Sequence, residues 1–449
     1  MAEFTIQQRN VLFNAVRSDN KSDNPRFNLI DSIHSTGKSQ VLTRAFLEKQ
    51  GTPTDFKCIY VCANSITAKR VIEQLNRITG ADWSRQLIGT LPEIAYRLLE
   101  DCYLQMSYTK LPKIVSDTAA AEERMAAKQK AEAVCQGPFN PIFFQEWNKE
   151  FLKRMQVKNL ASPRSLTLEL ERMFETQFHH HLTYVQTLIA DDVHDYTVEE
   201  LIALTHIQAK MSKVLVAGNT NLAPVDRIQD IDSENWFNFS EGNGITKYNL
   251  TTCFGITQTH GALAAQLTAF NSKKNLGDPH NFTGDPANFF IYEVTIPELN
   301  STAEVIKQFE AQLQIGIRGK LMGVIMRTVE DVRTMARALN KPPFILWDKN
   351  LLWNKITIPQ SGVVITTPYE APYLNLDYAI VPHCITGYWP YTKERNIENA
   401  RRLFLRIVSS PKSGIAFLVP DSSNGILVSP FISEANNPKL TTKSIQAGS

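Results

Sequence analysis

The stretch LIDSIHSTGKSQVL, residues 29 to 42, contains a glycine, a lysine and a serine in the order that a phosphate cradle uses. Gly37 permits close backbone approach, Lys38 can reach terminal phosphates as a point charge, and the Ser39 hydroxyl can bind Mg²⁺. Ser35 and Thr36 complete the loop, whose backbone N–H groups and following helix start would face the phosphates. Ser32 stands where such loops usually open with glycine. A second constellation is TLIADDVHD, 187 to 195, in which an apolar run delivers two acids. Asp191 is placed to hold the metal and Asp192 to orient water, provided the run is a strand of the sheet that carries the cradle.

The elements around these residues supply that arrangement. Short β-branched runs, FNLIDSI (27–33), KCIYVCAN (57–64), QLIGT (86–90), TLIADD (187–192) and KVLVAGN (213–219), are separated by segments such as SQVLTRAFLEKQ (39–50) and TAKRVIEQLNRITG (67–80). Apolar residues in those segments return every three to four positions, so strand and helix alternate as in a parallel sheet covered on both faces. From about 97 to 182 the pattern is helical without strands, which predicts a helical insertion. After a polar connector at 221–244, strand candidates resume with KYNLTTC, FFIYEV, KLMGVIM, PFILW, GVVITTP, DYAIVPH and GIAFLVP. The expectation is an α/β protein with a first domain over 1–225, a second over 226–435 and a loose C-terminal tail over 436–449.

Composition sets the outer bounds. A chain of 449 residues exceeds what one core usually organises. It is 43% hydrophobic and 20% charged, without an apolar run approaching the ~18 to 20 residues that span a bilayer. Its first residues, MAEFTIQQRN, lack the form of a secretory signal, so a cytoplasmic location without membrane partners is expected. A net charge of +2 neither demands nor excludes nucleic acid. Cys58, Cys62, Cys102, Cys135, Cys253 and Cys384 show no paired spacing and read as buried thiols. His179, His180 and His181 could hold a metal in principle, but neighbours on a helix or strand point in different directions, so they read as a surface run.

Taken in order, these segments resemble superfamily 1 helicases of the UvrD/Rep type. FTIQQRNVL (4–12) resembles the opening motif, in which Gln8 would read the adenine edge. VCANSITAKRV (61–71) and IGTLPEIAYRLL (88–99) resemble the strand-contacting and Gly-Thr-Phe-His segments. DDVHD (191–195) sits where the family has Asp-Glu-x-Gln-Asp, VLVAGNTNL (214–222) where it has Gly-Asp-x-x-Gln, and LTTCFG (250–255) where it has Asn-Tyr-Arg. GVIMRTVEDVRTMARAL (323–339), ITTPYEAPYLNLDYAIV (365–381) and ARRLFLRIVSSPKSGIAFLV (400–419) follow the remaining motifs. The resemblance implies two RecA-like P-loop domains, with ATP and Mg²⁺ in the cleft between them. Single-stranded or partly duplex DNA would cross their tops.

Departures from the family fall on chemically demanding positions. Asp192 replaces the water-polarising glutamate, and Gly255 and Ser410 stand where the family has arginine fingers. Losing one such cation typically costs ~10³ to 10⁵ in rate. Asn219 and Leu222 replace the acid and glutamine that couple nucleotide to strand. Tyr369, Pro372 and Tyr373 replace histidine, lysine and glycine of the DNA-responsive segment. Arg401, Arg402 and Arg406 lie near Ser410, and Arg406, one helical turn before it, could serve as a displaced finger. Tyr369, Tyr373, Tyr388 and Trp389 are candidate base-stacking residues, and Lys69 and Arg70 candidate backbone contacts. The expectation is a helicase relative that binds Mg-nucleotide through the first domain but is impaired in hydrolysis, acting as a DNA- or protein-binding component. An active ATP-driven helicase or translocase is the alternative, and a P-loop phosphotransferase a third reading.

Overall fold

The computed structural model describes residues 4–14, 27–32, 36–105, 111–135, 141–176, 179–219, 245–254, 256–269, 281–283, 290–296, 301–346, 356–391, 397–421, 425–434 and 441–444. Twelve strands of this set build two parallel sheets. The first contains β1 (Phe27–Asp31), β2 (Cys58–Cys62), β3 (Ile88–Gly89), β4 (Thr187–Asp191), β5 (Lys213–Gly218) and β6 (Ile245–Tyr248), in the spatial order β3-β2-β4-β5-β1-β6. The second contains β7 (Phe290–Ile296), β8 (Leu321–Ile325), β9 (Gly362–Thr366), β10 (Tyr378–Val381), β11 (Gly414–Pro420) and β12 (Thr441–Ser444), ordered β9-β8-β10-β11-β7-β12. Counted from its own first strand, each sheet has the same order. The expected fold class, α/β with two lobes of parallel sheet flanked by helices, is the one observed.

The alternating pattern of each strand explains why both sheet faces are covered. In β2, Ile59 and Val61 enter one apolar cluster while Cys58, Tyr60 and Cys62 enter another on the opposite face. In the second lobe Leu321 and Ile325 face one cluster, and Met322 and Val324 the other. Such strands read as continuous apolar runs because no face is left for water. All six cysteines are free, and all are buried except the half-buried Cys135. No helix of the described residues is long and apolar enough to cross a membrane.

Helices Leu91–Gln105, Ala121–Cys135, Pro141–Val157 and Pro163–Thr176 occupy the expected insertion. Ala127, Phe151, Met155 and Leu168 give part of it a small core of its own. A two-residue pairing, Lys113–Ile114 with Leu160–Ala161, closes the segment that carries its two middle helices, too short to leave a sequence pattern.

Three boundary expectations are corrected. KYNLTTC was expected to open the second domain, yet Ile245–Tyr248 pairs with Phe27–Asp31 in the first sheet. A β-branched run specifies a strand but not the sheet that accepts it. The tail was expected to be loose, yet Thr441–Ser444 pairs with Tyr292–Thr295 at the edge of the second sheet. Edge pairing uses backbone groups and needs little apolar side chain, so composition could not reveal it. PFILW, expected as a strand, contributes only an isolated bridge from Pro343 to Ile365 among the described residues.

Helix Ile397–Val408 is buried from Asn399 through Val408, wrapped by its own sheet, by helix Gln258–Ala269 and by the first lobe. His260 on that neighbouring helix donates through Nε2 to the Val408 carbonyl at 2.6 Å. Burial pushes its pKa down from 6.5 to about 4, against the raising effect of that hydrogen bond. The unfolded chain therefore binds a proton at His260 that the folded chain refuses, so stability is fully present above the unfolded value and falls as pH drops towards the folded one. Wild type should lose up to about 3 kcal/mol of unfolding free energy between neutral pH and pH ~4 that His260→Gln does not lose. Urea unfolding across that range compares the two slopes.

Candidate functional site

The C-terminal ends of β1, β4 and β5 lie side by side. Register pairs Asp31 with Gly218 and Cys62 with Asp191, so the loop after β1 and the acids after β4 share one sheet edge. Ser32 is buried there, its N–H donating to the Gly218 carbonyl and its Oγ accepting from Leu250 N–H at 2.6 Å. Ser32 is therefore an anchor that ties the loop to the chain beyond β6. Gly37 adopts φ 79° and ψ 22° as it enters helix Lys38–Gln50. That left-handed conformation favours glycine, and a Cβ there would come within 2.4 Å of Gln8 Nε2.

Lys38 is buried, and its Nζ donates to the Ser32 carbonyl at 2.9 Å across the loop. Burial lowers its pKa, opposed by the nearby carboxylates of Asp192, Asp191 and Asp31. Asp191 is fully buried, and Tyr60 OH donates to its Oδ2 at 3.2 Å. Its Oδ1 has no hydrogen-bond partner among the described residues. Burial raises the Asp191 pKa against the lowering effects of the Ser39 hydroxyl and Lys38. Asp192 is pushed up to about 6 by burial and by the Asp191 charge. A buried carboxylate oxygen without a donor, set against a serine hydroxyl and a lysine, is a donor set suited to a hard cation with phosphate oxygens as co-ligands.

Asp192 itself has φ 52°, ψ 44°. Aspartate tolerates this left-handed conformation better than most side chains because its short carboxylate can bond locally. The short acid thus matches the backbone it sits on.

The second lobe meets this edge through Arg406. Its guanidinium is 1% exposed and grips the Asp195 carboxylate at both oxygens, with Nη2 to Oδ2 at 2.7 Å. Tyr373 OH also donates to Asp195. Burial would raise the Asp195 pKa, but the Arg406 charge, His194 and these hydrogen bonds outweigh it and hold the carboxyl well below the usual range. Arg406 further donates to the carbonyls of Pro368 at 3.3 Å and Tyr369 at 3.2 Å. The segment that follows β9 is thus the cradle that aims Arg406. Ser410 Oγ donates back to the Arg406 carbonyl at 2.6 Å. Arg401 is held bidentately by Glu434 at 2.7 and 2.8 Å, and Arg402 is buried. The lobes also meet where Ile66 enters the second lobe's apolar cluster and Lys69 Nζ donates to the Ile356 carbonyl at 2.7 Å.

Several expected roles meet competing contacts. Gln8 is buried; its Oε1 accepts from Thr5 N–H in a helix capping box, and its Nε2 donates to the Thr36 carbonyl at 3.0 Å. It therefore clamps the phosphate loop to the first helix. Of the candidate base-stacking residues, Tyr373 is buried on Asp195, Trp389 is fully buried, Tyr388 OH bonds Asp331 at 2.8 Å, and Tyr369 lies under Arg406. Arg70 is half-buried and Lys69 is engaged at the lobe contact. Asn219 N–H donates to His194 Nδ1 at 3.2 Å, so Asn219 packs against the acidic loop. Ser35, Leu222 and Gly255 lie outside the described residues.

The Asp195–Arg406–Tyr373 cluster is what sequence reasoning did not assemble. Asp195 was visible as the final acid of DDVHD and Arg406 as a neighbour of Ser410. Nothing in their spacing joins them across the chain.

No family model matches the chain, and neither does any curated protein. Solved structures with similar folds include a Saccharomyces cerevisiae Dbp5 variant bound to Nup159, a Gle1 variant, IP6 and ADP. It is 8% identical, with a TM-score of 0.44 over 99% of this chain and 91% of that one. A DEAD box protein from Methanococcus jannaschii is 9% identical, with a TM-score of 0.32 over 94% of this chain and 88% of its own.

Proposed function

We propose that the chain is a degenerate helicase relative of the UvrD-like kind, built of two RecA-like lobes, that binds Mg-ATP on its first lobe, is impaired in hydrolysis, and acts as a DNA- or protein-binding component. The observation that carries the nucleotide half is the fully buried Asp191 carboxylate set against the Ser39 hydroxyl and Lys38, its Oδ1 without a geometric hydrogen-bond partner among the described residues. Asp191 and Ser39 would hold the magnesium, which when bound neutralises phosphate charge. The chain's own loop supplies Lys38 and backbone N–H groups to the phosphates.

Impairment is supported by where the second-lobe cations go. Arg406 is spent on Asp195 and Arg401 on Glu434, while the family's finger positions hold Gly255 and Ser410. A site without an arginine on the transferring phosphate lacks ~10³ to 10⁵ in rate. Asp192, with its short reach, remains the group that would orient water. The DNA half rests on the colinear motif resemblance.

Steady-state phosphate release with and without single-stranded DNA tests this reading, run beside a nucleotide titration. Saturable Mg-nucleotide binding with turnover that DNA does not stimulate is the expected result. DNA-stimulated hydrolysis that disappears in Lys38→Ala would instead establish an active helicase or translocase.

A further inference from the structure

His179, His180 and His181 precede β4 at the end of the first sheet opposite the phosphate loop, and the proposed function does not use them. Their expected reading as a surface run is corrected. His179 is 1% exposed, and the three side chains gather instead of diverging. The backbone explains this: His179 is extended at φ −113°, ψ 128°, just before the 3-10 turn His180–Tyr184, and its Nδ1 accepts from His181 N–H at 3.2 Å. Its ring is thereby folded back over the first turn. The rings of His179 and His180 stack at 4.7 Å, those of His180 and His181 approach to 3.9 Å, and Phe56 stacks on His181 at 3.5 Å.

One nitrogen from each imidazole lies within 4.8 Å of the others. The buried Nε2 of His179 has no hydrogen-bond partner among the described residues. Leaving a buried polar nitrogen unpaired is destabilising, so something that satisfies it would be stabilising. Asp101, on helix Leu91–Gln105, places a negative charge within electrostatic reach of His181.

We propose that His179, His180 and His181 form a binding site for a divalent transition metal of the zinc class, with three imidazole ligands and an open fourth position. Metal–nitrogen bonds of about 2.0 to 2.1 Å in a tetrahedral site put ligand nitrogens roughly 3.4 Å apart, so modest side-chain rotation closes the cluster. Imidazole suits zinc, copper and nickel, whereas magnesium and calcium take oxygen ligands. When His179 coordinates through Nε2, the imidazole stays neutral by exchanging the Nε2 proton for one on Nδ1. The His181 N–H contact to Nδ1 is then exchanged for the metal bond. The exposed face of His180 leaves the fourth position to water or to a ligand from outside the chain.

The test is titration of the full chain with Co²⁺ and Zn²⁺ while millimolar Mg²⁺ occupies the carboxylate site. One Co²⁺ per chain with the visible bands of tetrahedral coordination, displaced by Zn²⁺ at submicromolar affinity, is expected. His180→Ala, at an exposed position, should weaken binding by at least the ~10- to 100-fold that even outer ligand-sphere changes cost. His181→Ala should do the same, and His179→Gln serves if an alanine there fails to fold. Octahedral Co²⁺ spectra, affinity no better than micromolar, or binding unchanged in His180→Ala would overturn the assignment.

Discussion

Arg406→Ala is expected to lower the unfolding free energy by about 3 to 5 kcal/mol, among the largest single-site losses available to this protein. The reason is asymmetric. The Arg406–Asp195 pair is almost solvent-free, so truncating the cation strands a buried carboxylate that Tyr373 and His194 cannot neutralise. Replacing both members with apolar residues should cost far less, because the pair's attraction is largely offset by its own desolvation. Urea unfolding of Arg406→Ala measures the loss, and that of Arg406→Met, Asp195→Leu and the combined Arg406→Met/Asp195→Leu variant closes a double-mutant cycle with a coupling of several kcal/mol. A loss below about 1 kcal/mol in Arg406→Ala would place the pair in solvent, where ion pairs contribute that little, and would mean that the lobes do not meet here. The contact is also the physical reason to expect weak turnover, since a guanidinium chelated by a buried carboxylate is not available to a phosphate without first breaking that chelation.

The second large effect concerns the phosphate loop. Lys38→Ala should reduce Mg-nucleotide affinity by about 30-fold to several thousand-fold, corresponding to ~2 to 5 kcal/mol for deleting one partner of a buried charge contact. Lys38 sits at the first turn of its helix with Asp191 and Asp192 close by, so a phosphate and its metal would replace the Ser32 carbonyl as the partner of Nζ. A fluorescent nucleotide titration, or the shift in melting temperature at saturating Mg-nucleotide, reads the change. Unaltered affinity in the variant would show that phosphates do not rest on this loop.

The local elements around the candidate residues were legible in the sequence. Gly37, Lys38 and Ser39 had to follow a strand and open a helix, and TLIADD had to be a strand ending in two acids, because those properties depend on neighbours along the chain. The α/β alternation, the helical insertion and the division into two parallel sheets followed from the same periodicities. What lay beyond reach depends on groups far apart in sequence. Asp195 meets Arg406 and Tyr373 only once two separately folded sheets face each other. Thr441–Ser444 becomes a strand only because β7 offers an unpaired edge, and Ile245–Tyr248 joins the first sheet only because β1 does. The three histidines gather because one extended residue precedes a tight turn, a backbone detail that side-chain spacing does not encode. Sequence thus determined which groups are present and on which kind of element. Tertiary packing decided which of them are desolvated against one another, and desolvation is what turns an ordinary arginine and aspartate into a lock between lobes.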